Sequence, residues 1–178
     1  MKNILGLVFI MSLIFSARGQ NSYFPIGKGN SWVYLTSKND SGIRYLNPAS
    51  KFHVDSSNIV CYEFVYAEFN AYRHGQIFQL DTVFVGESDL MRWNGNGSHE
   101  IYIPSSPKIG MTYSVYGDLM RVSEVKLDTC SYRKEIDEMA VLISDSLNRK
   151  FIISKKYGVV RIETDGDYWE QLVGYKEN

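Results

Sequence analysis

The chain has 178 residues, with 19 basic and 20 acidic side chains and an aromatic content of 14%. This length fits one domain with a sizeable core. A near-neutral charge without a basic stripe argues against nucleic acid as a partner, and no apolar run beyond the N-terminus is long enough to span a membrane.

The first nineteen residues have the pattern of a cleaved signal peptide. Lys2 supplies the positive charge, residues 4–15 are apolar, and Ala17 and Gly19 place small residues where signal peptidase reads them. Twelve apolar residues are too few to cross a bilayer, which needs about twenty. The sequence therefore predicts cleavage after Gly19, which leaves a single domain at 20–178 in the periplasm or outside the cell.

Along the mature chain, short segments rich in Val, Ile, Tyr, Phe and Thr alternate between apolar and polar residues, a pattern typical of strands. We predict twelve strands, at 32–38, 50–55, 58–69, 76–85, 89–93, 99–103, 111–116, 119–127, 139–145, 149–154, 158–163 and 168–175. The connections are too short for crossover helices, which favours antiparallel neighbours. All four prolines fall outside the predicted strands, as the need for ladder donors suggests.

Turn signals separate these segments. The strongest is Asn-Gly-Asn-Gly at 94–97, and 145–148 and 165–167 are weaker. So many short strands must curl or split, because a flat sheet of that width would expose long edges. We predict an all-β fold with a strongly curved antiparallel sheet in the form of a half-open barrel. A two-sheet β-sandwich is the alternative.

The segment around Gly29 resembles the segment around Gly110. Each has a proline followed by Gly-x-Ser/Thr-aromatic at the start of a strand, with the two glycines in register. This echo predicts two related halves, near 21–103 and 104–178. A chance match between two loose patterns is the alternative.

Three short motifs frame the mature chain. They are YFPIGKGNSWVY at 23–34, the element at 103–113, and KYGVVRIE at 156–163 followed by WEQL. Together they resemble a group of small secreted β-proteins of Bacteroidota-type bacteria, with a "YFPL-x-x-G-N-x-W-x-Y" opening and a "GVGLVK…W-x-L" close. Tyr113 departs from the usual second Trp, and a "PAGTF" element is missing. The group has no assigned activity, so the resemblance implies the fold and secretion and adds no site.

Two cysteines, Cys61 and Cys130, remain in a chain bound for an oxidising compartment. A disulfide between them would close a 69-residue loop, worth about 4 kcal/mol in the chain-entropy estimate. The alternative is two buried free thiols, since a free cysteine packs as a small hydrophobe.

No residue is predicted to serve catalysis, a metal or a cofactor. The histidines His53, His74 and His99 lie 21 and 25 residues apart, without the close pair usual in a zinc site. There is no Gly-x-Ser-x-Gly motif for a serine nucleophile. The carboxylates show no paired arrangement of the kind that glycosidases use.

Aromatic residues are the most informative inventory, with 13 Tyr, 9 Phe and 3 Trp. Tyr combines an apolar ring with a polar tip, which suits half-exposed sheet faces and ligand-binding surfaces. The predicted aromatic ligand surface consists of Phe64, Tyr66, Phe78, Phe84 and Trp93. Trp32 and Trp169 are expected to pack in the core, with a sugar-stacking platform as the alternative.

Two tripeptides, Asp81-Thr82-Val83 and Asp145-Ser146-Leu147, resemble a short O-glycosylation signal of exported proteins from such bacteria. Ser146 is the better candidate, because it lies in a predicted hairpin turn and a glycan must face solvent. Thr82 lies inside a predicted strand.

The functional prediction is a secreted, non-enzymatic envelope or extracellular domain that binds an unidentified protein, glycan or lipid ligand. Two alternatives remain. One is a carrier that holds a lipid-like molecule on the concave face of the sheet. The other is a small hydrolase that uses carboxylates such as Glu63, Glu68 or Asp81.

Overall fold

The computed structural model describes residues 23–25, 30–37, 43–54, 59–70, 73–86, 89–93, 99–115, 117–164 and 168–177. For the strand residues within 43–82, and for 84–86, 93 and 99, it describes the backbone alone. The predicted signal peptide at 1–19 and the predicted turns at 94–97 and 165–167 lie outside the described residues. In the part of the chain that is described, no helix is long and apolar enough to cross a membrane.

The described residues form twelve β-strands that pair antiparallel, which confirms the predicted all-β class. The strands are β1 (Ser31–Thr36), β2 (Ile43–Val54), β3 (Ile59–Asn70), β4 (Arg73–Gly86), β5 (Asp89–Trp93), β6 (His99–Ile103), β7 (Thr112–Val115), β8 (Asp118–Thr129), β9 (Ile136–Ser144), β10 (Arg149–Ser154), β11 (Gly158–Thr164) and β12 (Trp169–Lys176). Each predicted strand has a counterpart, and only the start of β2 differs by more than three residues.

Strand β2 begins at Ile43 and contains Pro48, so the prediction that every proline lies outside the strands is wrong at this position. The pairing explains how the proline is tolerated. β1 pairs with β2 only up to Leu46, so beyond that residue no amide donor is needed on the β1 side. On the β3 side, the register shifts between Pro48 and Lys51, and such an irregularity accommodates a missing donor.

The strand order in the sheet is β6-β5-β4-β3-β2-β1-β12-β11-β10-β9-β8-β7. Strands β1–β6 therefore form one six-stranded meander, and strands β7–β12 form a second with the same topology. The meanders join where β1 pairs with β12. They coincide with the two predicted halves, near 21–103 and 104–178, and β1 and β7 are the first strand of each.

The sheet is strongly curved. Neighbouring strands lie about 4.8 Å apart, so the edges of a flat twelve-stranded sheet would be about 50 Å apart. The eight residues between Ile103 and Thr112 can span only about 30 Å, and β6 and β7 lie in contact. No strand pairing joins β6 to β7 among the described residues. The sheet therefore curls without closing into a barrel, in agreement with the half-open form.

The core packs against one face of the curved sheet and draws on strands from both meanders. Along β1, Trp32, Tyr34 and Thr36 are buried while Leu35 between them is exposed, as the two-residue period of a strand requires. The side chains with almost no exposure include Trp32, Val83, Leu90, Val122, Ile153, Val160 and Leu172.

Candidate functional site

Strand β1 and the start of β11 are joined by two side chains of the opening motif. Trp32 Nε1 donates a hydrogen bond to the carbonyl oxygen of Tyr157, and Tyr34 Oη donates one to the carbonyl oxygen of Val159, each at 2.8 Å. β11 pairs with β12 only over 161–163, so the carbonyl groups of Tyr157 and Val159 lie outside this strand pairing. Because a buried carbonyl needs a donor, the aromatic side chains replace the missing strand pairing.

Phe24 occupies the space that a side chain at position 158 would need. Gly158 has a φ of +75°, and a Cβ built there would lie 2.7 Å from Phe24 Cδ2. The Phe24 ring packs against Trp32 with 4.7 Å between ring centroids. Position 158 therefore requires glycine both for its backbone angle and for the close approach of the ring. The opening motif and the closing motif thus form one packing unit.

A row of aromatic rings runs from Trp32 towards the surface. The Tyr175 ring lies 5.5 Å from Trp32 and 5.6 Å from Tyr157, between centroids. The Tyr132 ring lies 5.2 Å from Tyr157. The contacts among the tyrosines are edge-to-face, an arrangement that the ring quadrupoles favour. Trp32 is fully buried and the three tyrosines are half-buried. We call Tyr132, Tyr157 and Tyr175 the tyrosine cluster.

The tyrosine cluster is assembled from the β8–β9 turn, the β10–β11 turn and β12. The first of these turns is closed by a 2.7 Å hydrogen bond from the Cys130 amide to the Glu135 carbonyl. Tyr132 Oη, in the same turn, accepts a 2.9 Å hydrogen bond from the Tyr175 amide. No sequence pattern predicts this cluster, and its only signals in the sequence are the tyrosine richness and the place of Tyr157 in the closing motif.

Charged groups of both signs lie at the rim of the tyrosine cluster. The Arg133 guanidinium lies over the Tyr132 ring, 4.8 Å from its centroid. The Glu135 carboxylate accepts a hydrogen bond from Tyr157 Oη and lies 3.4 Å from Lys156 Nζ. Burial and the bond to Glu135 raise the pKa of Tyr157, and the same bond lowers the pKa of Glu135. At neutral pH the hydroxyl therefore keeps its proton and the carboxylate keeps its charge.

Behind the cluster, Asp137 of β9 holds the β10–β11 turn. Its Oδ2 accepts hydrogen bonds from Ser154 Oγ and from the Lys156 amide, and its Oδ1 accepts one from the Glu138 amide. Ser154 Oγ in turn accepts a bond from the Tyr157 amide at 3.2 Å. A hydroxyl beside a carboxylate is one element of a nucleophile site. Here Ser154 is fully buried and both carboxylate oxygens of Asp137 accept hydrogen bonds from the chain. We call Asp137 a turn brace, because these bonds stabilise the β10–β11 turn.

Tyr23 ties the opening motif to β9. Its Oη donates a hydrogen bond to the Glu138 carboxylate, which lies 3.5 Å from Lys155 Nζ. Burial, followed by the hydrogen bond to Glu138, raises the pKa of Tyr23. The tyrosine therefore remains a neutral donor at all physiological pH values.

The residues of the predicted aromatic ligand surface lie in β3, β4 and β5, where their side chains fall outside the described residues. The backbone register places Tyr66 directly opposite Phe78, and Phe84 directly opposite Cys61. Phe64 is paired with Asp81 on the other side of a register shift. Trp93 ends β5 opposite His99. The ligand surface stays a prediction, and so does the carrier that it would serve.

The two other tryptophans are in different environments. Trp32 is fully buried, as expected for a core residue. Trp169 is half-buried, and the Arg161 guanidinium lies 5.5 Å from its ring centroid. Arg161 is itself held by Glu163 at 2.7 Å and by Gln171 at 3.2 Å. The arginine therefore covers a ring that a stacked sugar would need.

The predicted disulfide involves one described side chain. Cys130, the residue after β8, is fully buried. Cys61 lies in β3, where the backbone alone is described. The disulfide stays a prediction.

Of the two predicted O-glycosylation positions, Ser146 lies in the β9–β10 turn at 145–148 and is exposed. The turn has the predicted form, and Asn148 adopts a φ of +49° there. Ser146 Oγ donates a 2.6 Å hydrogen bond to Asp118. Thr82 lies inside β4, opposite Glu63 of β3. O-glycosylation at Ser146 and at Thr82 stays a prediction.

The remaining chemical candidates lie largely in the strands whose backbone alone is described. Glu63 and Glu68 are in β3 and Asp81 is in β4. Of the histidines, His53 is in β2 and His99 in β6, while His74 is in β4. Within the described part of the chain, no three His, Cys, Asp or Glu side chains are grouped as metal ligands would be.

A shallow apolar depression with a cavity volume of about 0 Å³ lies between the β6–β7 connection and the core, lined by Tyr23, Ile103, Pro104, Pro107, Ala140, Leu142 and Ile153. Ligand pockets usually measure about 300 Å³ or more. This depression is therefore too small for a lipid-like ligand.

No protein-family model matches this chain, and no curated protein matches it in sequence. Among solved structures, it is similar to the crystal structure described as a "putative exported protein with YmcC-like fold" from Bacteroides fragilis NCTC 9343. The match covers 88% of this chain and 100% of that chain, with a TM-score of 0.55 and 8% sequence identity. At 8% identity, this similarity shows only that the two proteins share a fold.

Proposed function

We propose that the protein is an exported, non-enzymatic domain that binds a protein partner through the tyrosine cluster. The carrying observation is that three half-buried tyrosines in edge-to-face contact lie beside Arg133 at the surface. Tyr and Arg are the residues that most often dominate protein–protein binding energy, because they combine large apolar area with directed hydrogen bonds. At the rim, the opposite charges of Glu135 and Lys156 set the orientation of such a partner by charge complementarity.

A non-enzymatic role is supported by what the polar groups at this end of the sheet are bonded to. The carboxylates Glu135, Asp137 and Glu138 each accept a hydrogen bond from a hydroxyl of the same chain. Their hydrogen bonds stabilise turns and the N-terminal segment. The hydrolase built on Glu63, Glu68 or Asp81 and the carrier built on Phe64, Tyr66, Phe78 and Phe84 remain the alternatives.

Export rests on the signal peptide predicted at 1–19 and on the resemblance to secreted proteins of Bacteroidota-type bacteria. The opening and closing motifs that carry this resemblance are in contact, because Trp32 is bonded to Tyr157 and Phe24 packs against Gly158. The fold shared with a protein described as "putative exported" adds to the proposal. We place the mature domain in the periplasm or outside the cell.

The binding proposal is tested by site-specific photocrosslinking in cells. A photoreactive amino acid at exposed Lys156 should give a discrete crosslinked protein band. The same label at Leu147, in the β9–β10 turn at the other end of the strands, should give none. Arg133→Glu should remove the band, whereas Arg149→Glu, at the far end of β10, should leave it intact. A band of equal strength from both label positions, or one that survives Arg133→Glu, contradicts the proposal.

The glycan alternative has a distinct outcome. If Arg133→Glu abolishes binding to a glycan array while no protein band forms at position 156, the partner is a glycan and the protein-binding proposal is wrong.

Export is tested separately by the intact mass of the mature protein. The chain should begin at Gln20, and a disulfide between Cys61 and Cys130 should lower the mass by two hydrogens, which reduction restores. A mature protein that retains Met1 contradicts export with cleavage.

A further inference from the structure

Strand β8 extends beyond its neighbour β7. The pairing with β7 runs from Asp118 to Arg121, and hydrogen bonds with Gly110 and Met111 continue it to Val122. From there to Thr129, no strand pairs with the outer edge of β8 in the described part of the chain. A row of unpaired backbone groups at a sheet edge is a template for another strand.

Hydrogen bonding identifies which groups lie on this edge. The Cys130 amide donates to the Glu135 carbonyl, so the backbone groups of Cys130 face β9. Because orientation alternates along an antiparallel pair, the amide and carbonyl groups of Val125, Leu127 and Thr129 face outwards. The Thr129 amide is bonded by the side chain of its own neighbour Asp128, at 2.8 Å, as expected for a group that no strand meets.

Two large apolar side chains lie exposed beside the edge. Leu127 is 73% exposed and Ile136 is 71% exposed. Thr129 pairs with Ile136 and Leu127 with Glu138, so Leu127 and Ile136 are diagonal neighbours on one face. Val125, on the same face, packs against the core. The apolar stripe of the core face therefore continues past the core into solvent.

The opposite face of this segment carries charges of alternating sign. Lys126 Nζ lies 3.0 Å from Glu124 and 3.2 Å from Asp128, and all three side chains are exposed. If a second copy of β8 pairs antiparallel with a two-fold axis at Leu127, each Lys126 lies opposite the Asp128 of the other copy. The same register pairs Leu127 with Leu127 and Val125 with Thr129. Charge, apolar and backbone complementarity all occur in this one register.

We propose that the protein forms a symmetric dimer by antiparallel pairing of β8 edges around Leu127. The two copies bring their Leu127 side chains together on one face and form two Lys126–Asp128 pairs on the other. The Asp128 side chain releases the Thr129 amide, which then pairs with Val125 of the second copy. An edge of five residues is a small interface, so the dimer belongs to the weak class.

Sedimentation velocity of the mature protein from about 1 to 500 μM should show a concentration-dependent monomer–dimer equilibrium. Lys126→Glu and Asp128→Lys should each raise the dissociation constant about tenfold or more, because each places like charges opposite one another. An equimolar mixture of these two variants should regain the dimer as a heterodimer, since the charges are again complementary. Leu127→Lys should be monomeric. Lys150→Glu, on β10, is the matched control and should dimerise as the wild type does.

A wild-type protein that stays monomeric over the whole range overturns the proposal, and Lys126 then acts as a charge that protects the edge. A mixture of the two charge variants that stays monomeric overturns it as well, as does an equal effect of Lys150→Glu. Far-ultraviolet circular dichroism of each variant ensures that the comparison is between folded proteins. Loss of the crosslink described above leaves this equilibrium unaffected, so the two proposals fail independently.

Discussion

Trp32 Nε1 donates a 2.8 Å hydrogen bond to the carbonyl oxygen of Tyr157, although 125 residues separate them in the chain. The bond joins the first meander to the second at the place where β11 leaves its pairing with β12. Tyr34, two residues further along β1, donates the equivalent hydrogen bond to the carbonyl oxygen of Val159. Side chains thus maintain the link between two strands that the backbone ladder does not connect.

Tyr34→Phe should lower the free energy of unfolding by about 1–3 kcal/mol, because the partly buried Val159 carbonyl loses its donor. Tyr113→Phe is the matched control. Tyr113 is buried to a similar degree, and its Oη has no hydrogen-bond partner among the described residues, so removal of that hydroxyl should be neutral or stabilising. Urea unfolding followed by fluorescence measures both. Equal losses in the two variants would show that ring packing, not the hydrogen bond, stabilises this region.

Gly158→Ala should be severely destabilising, by roughly 3 kcal/mol or more, because backbone strain and overpacking add. The new Cβ would lie 2.7 Å from Phe24. Gly110→Ala has a similar φ of +83° but meets nothing within 4 Å, so it should cost only about 1–2 kcal/mol. Thermal unfolding of the two variants separates the backbone strain from the clash. The double variant Phe24→Ala/Gly158→Ala should lose less stability than the sum of the two single variants, because the clash is then absent. If the two losses simply add, the steric explanation is wrong.

Asp137→Ala should lower the free energy of unfolding by about 2–4 kcal/mol, because the Ser154 hydroxyl and the Lys156 and Glu138 amides lose their buried carboxylate acceptor. Asp145→Ala is the control. Asp145 is exposed and pairs with Arg121 only at 3.7 Å, so it should change stability by less than about 0.5 kcal/mol. Hydrogen exchange should show that the loss is centred on the β10–β11 turn. Uniform loss of protection over the sheet would argue against the role of Asp137 as a turn brace.

The protein should lose stability at alkaline pH through its buried tyrosines. Burial is the main cause that raises the pKa values of Tyr23, Tyr34, Tyr113, Tyr157 and Tyr175, the last to about 12. Because these groups hold their protons more tightly when folded, their contribution is complete below about pH 10 and declines as the pH rises through the folded pKa values. Tyrosinate absorbance should therefore rise in a cooperative step that coincides with unfolding. A gradual titration with each tyrosine near pH 10 and no unfolding would contradict this expectation.

Local sequence patterns determined most of the strands. Alternation of apolar and polar residues depends on neighbours two positions apart, and that information is present in the chain itself. The hairpin turn at 145–148 was also predictable from local sequence, since Asn148 adopts the positive φ that asparagine tolerates. The start of β2 was not predictable from local sequence, because a proline such as Pro48 is typical of a break between strands. Only the end of β1 pairing at Leu46 shows why the strand continues through it.

The tertiary structure alone decided which distant segments meet. The echo around Gly29 and Gly110 predicted two halves, but the pairing of β1 with β12 could not be inferred, because pairing over such a separation depends on the whole packed core. Tyr132, Tyr157 and Tyr175 lie far apart in sequence and share no spacing, so no local pattern predicts their contact. The sequence determined the strands and the class of fold. The curl of the sheet, which brings turns and strand ends to one place, determined the candidate site.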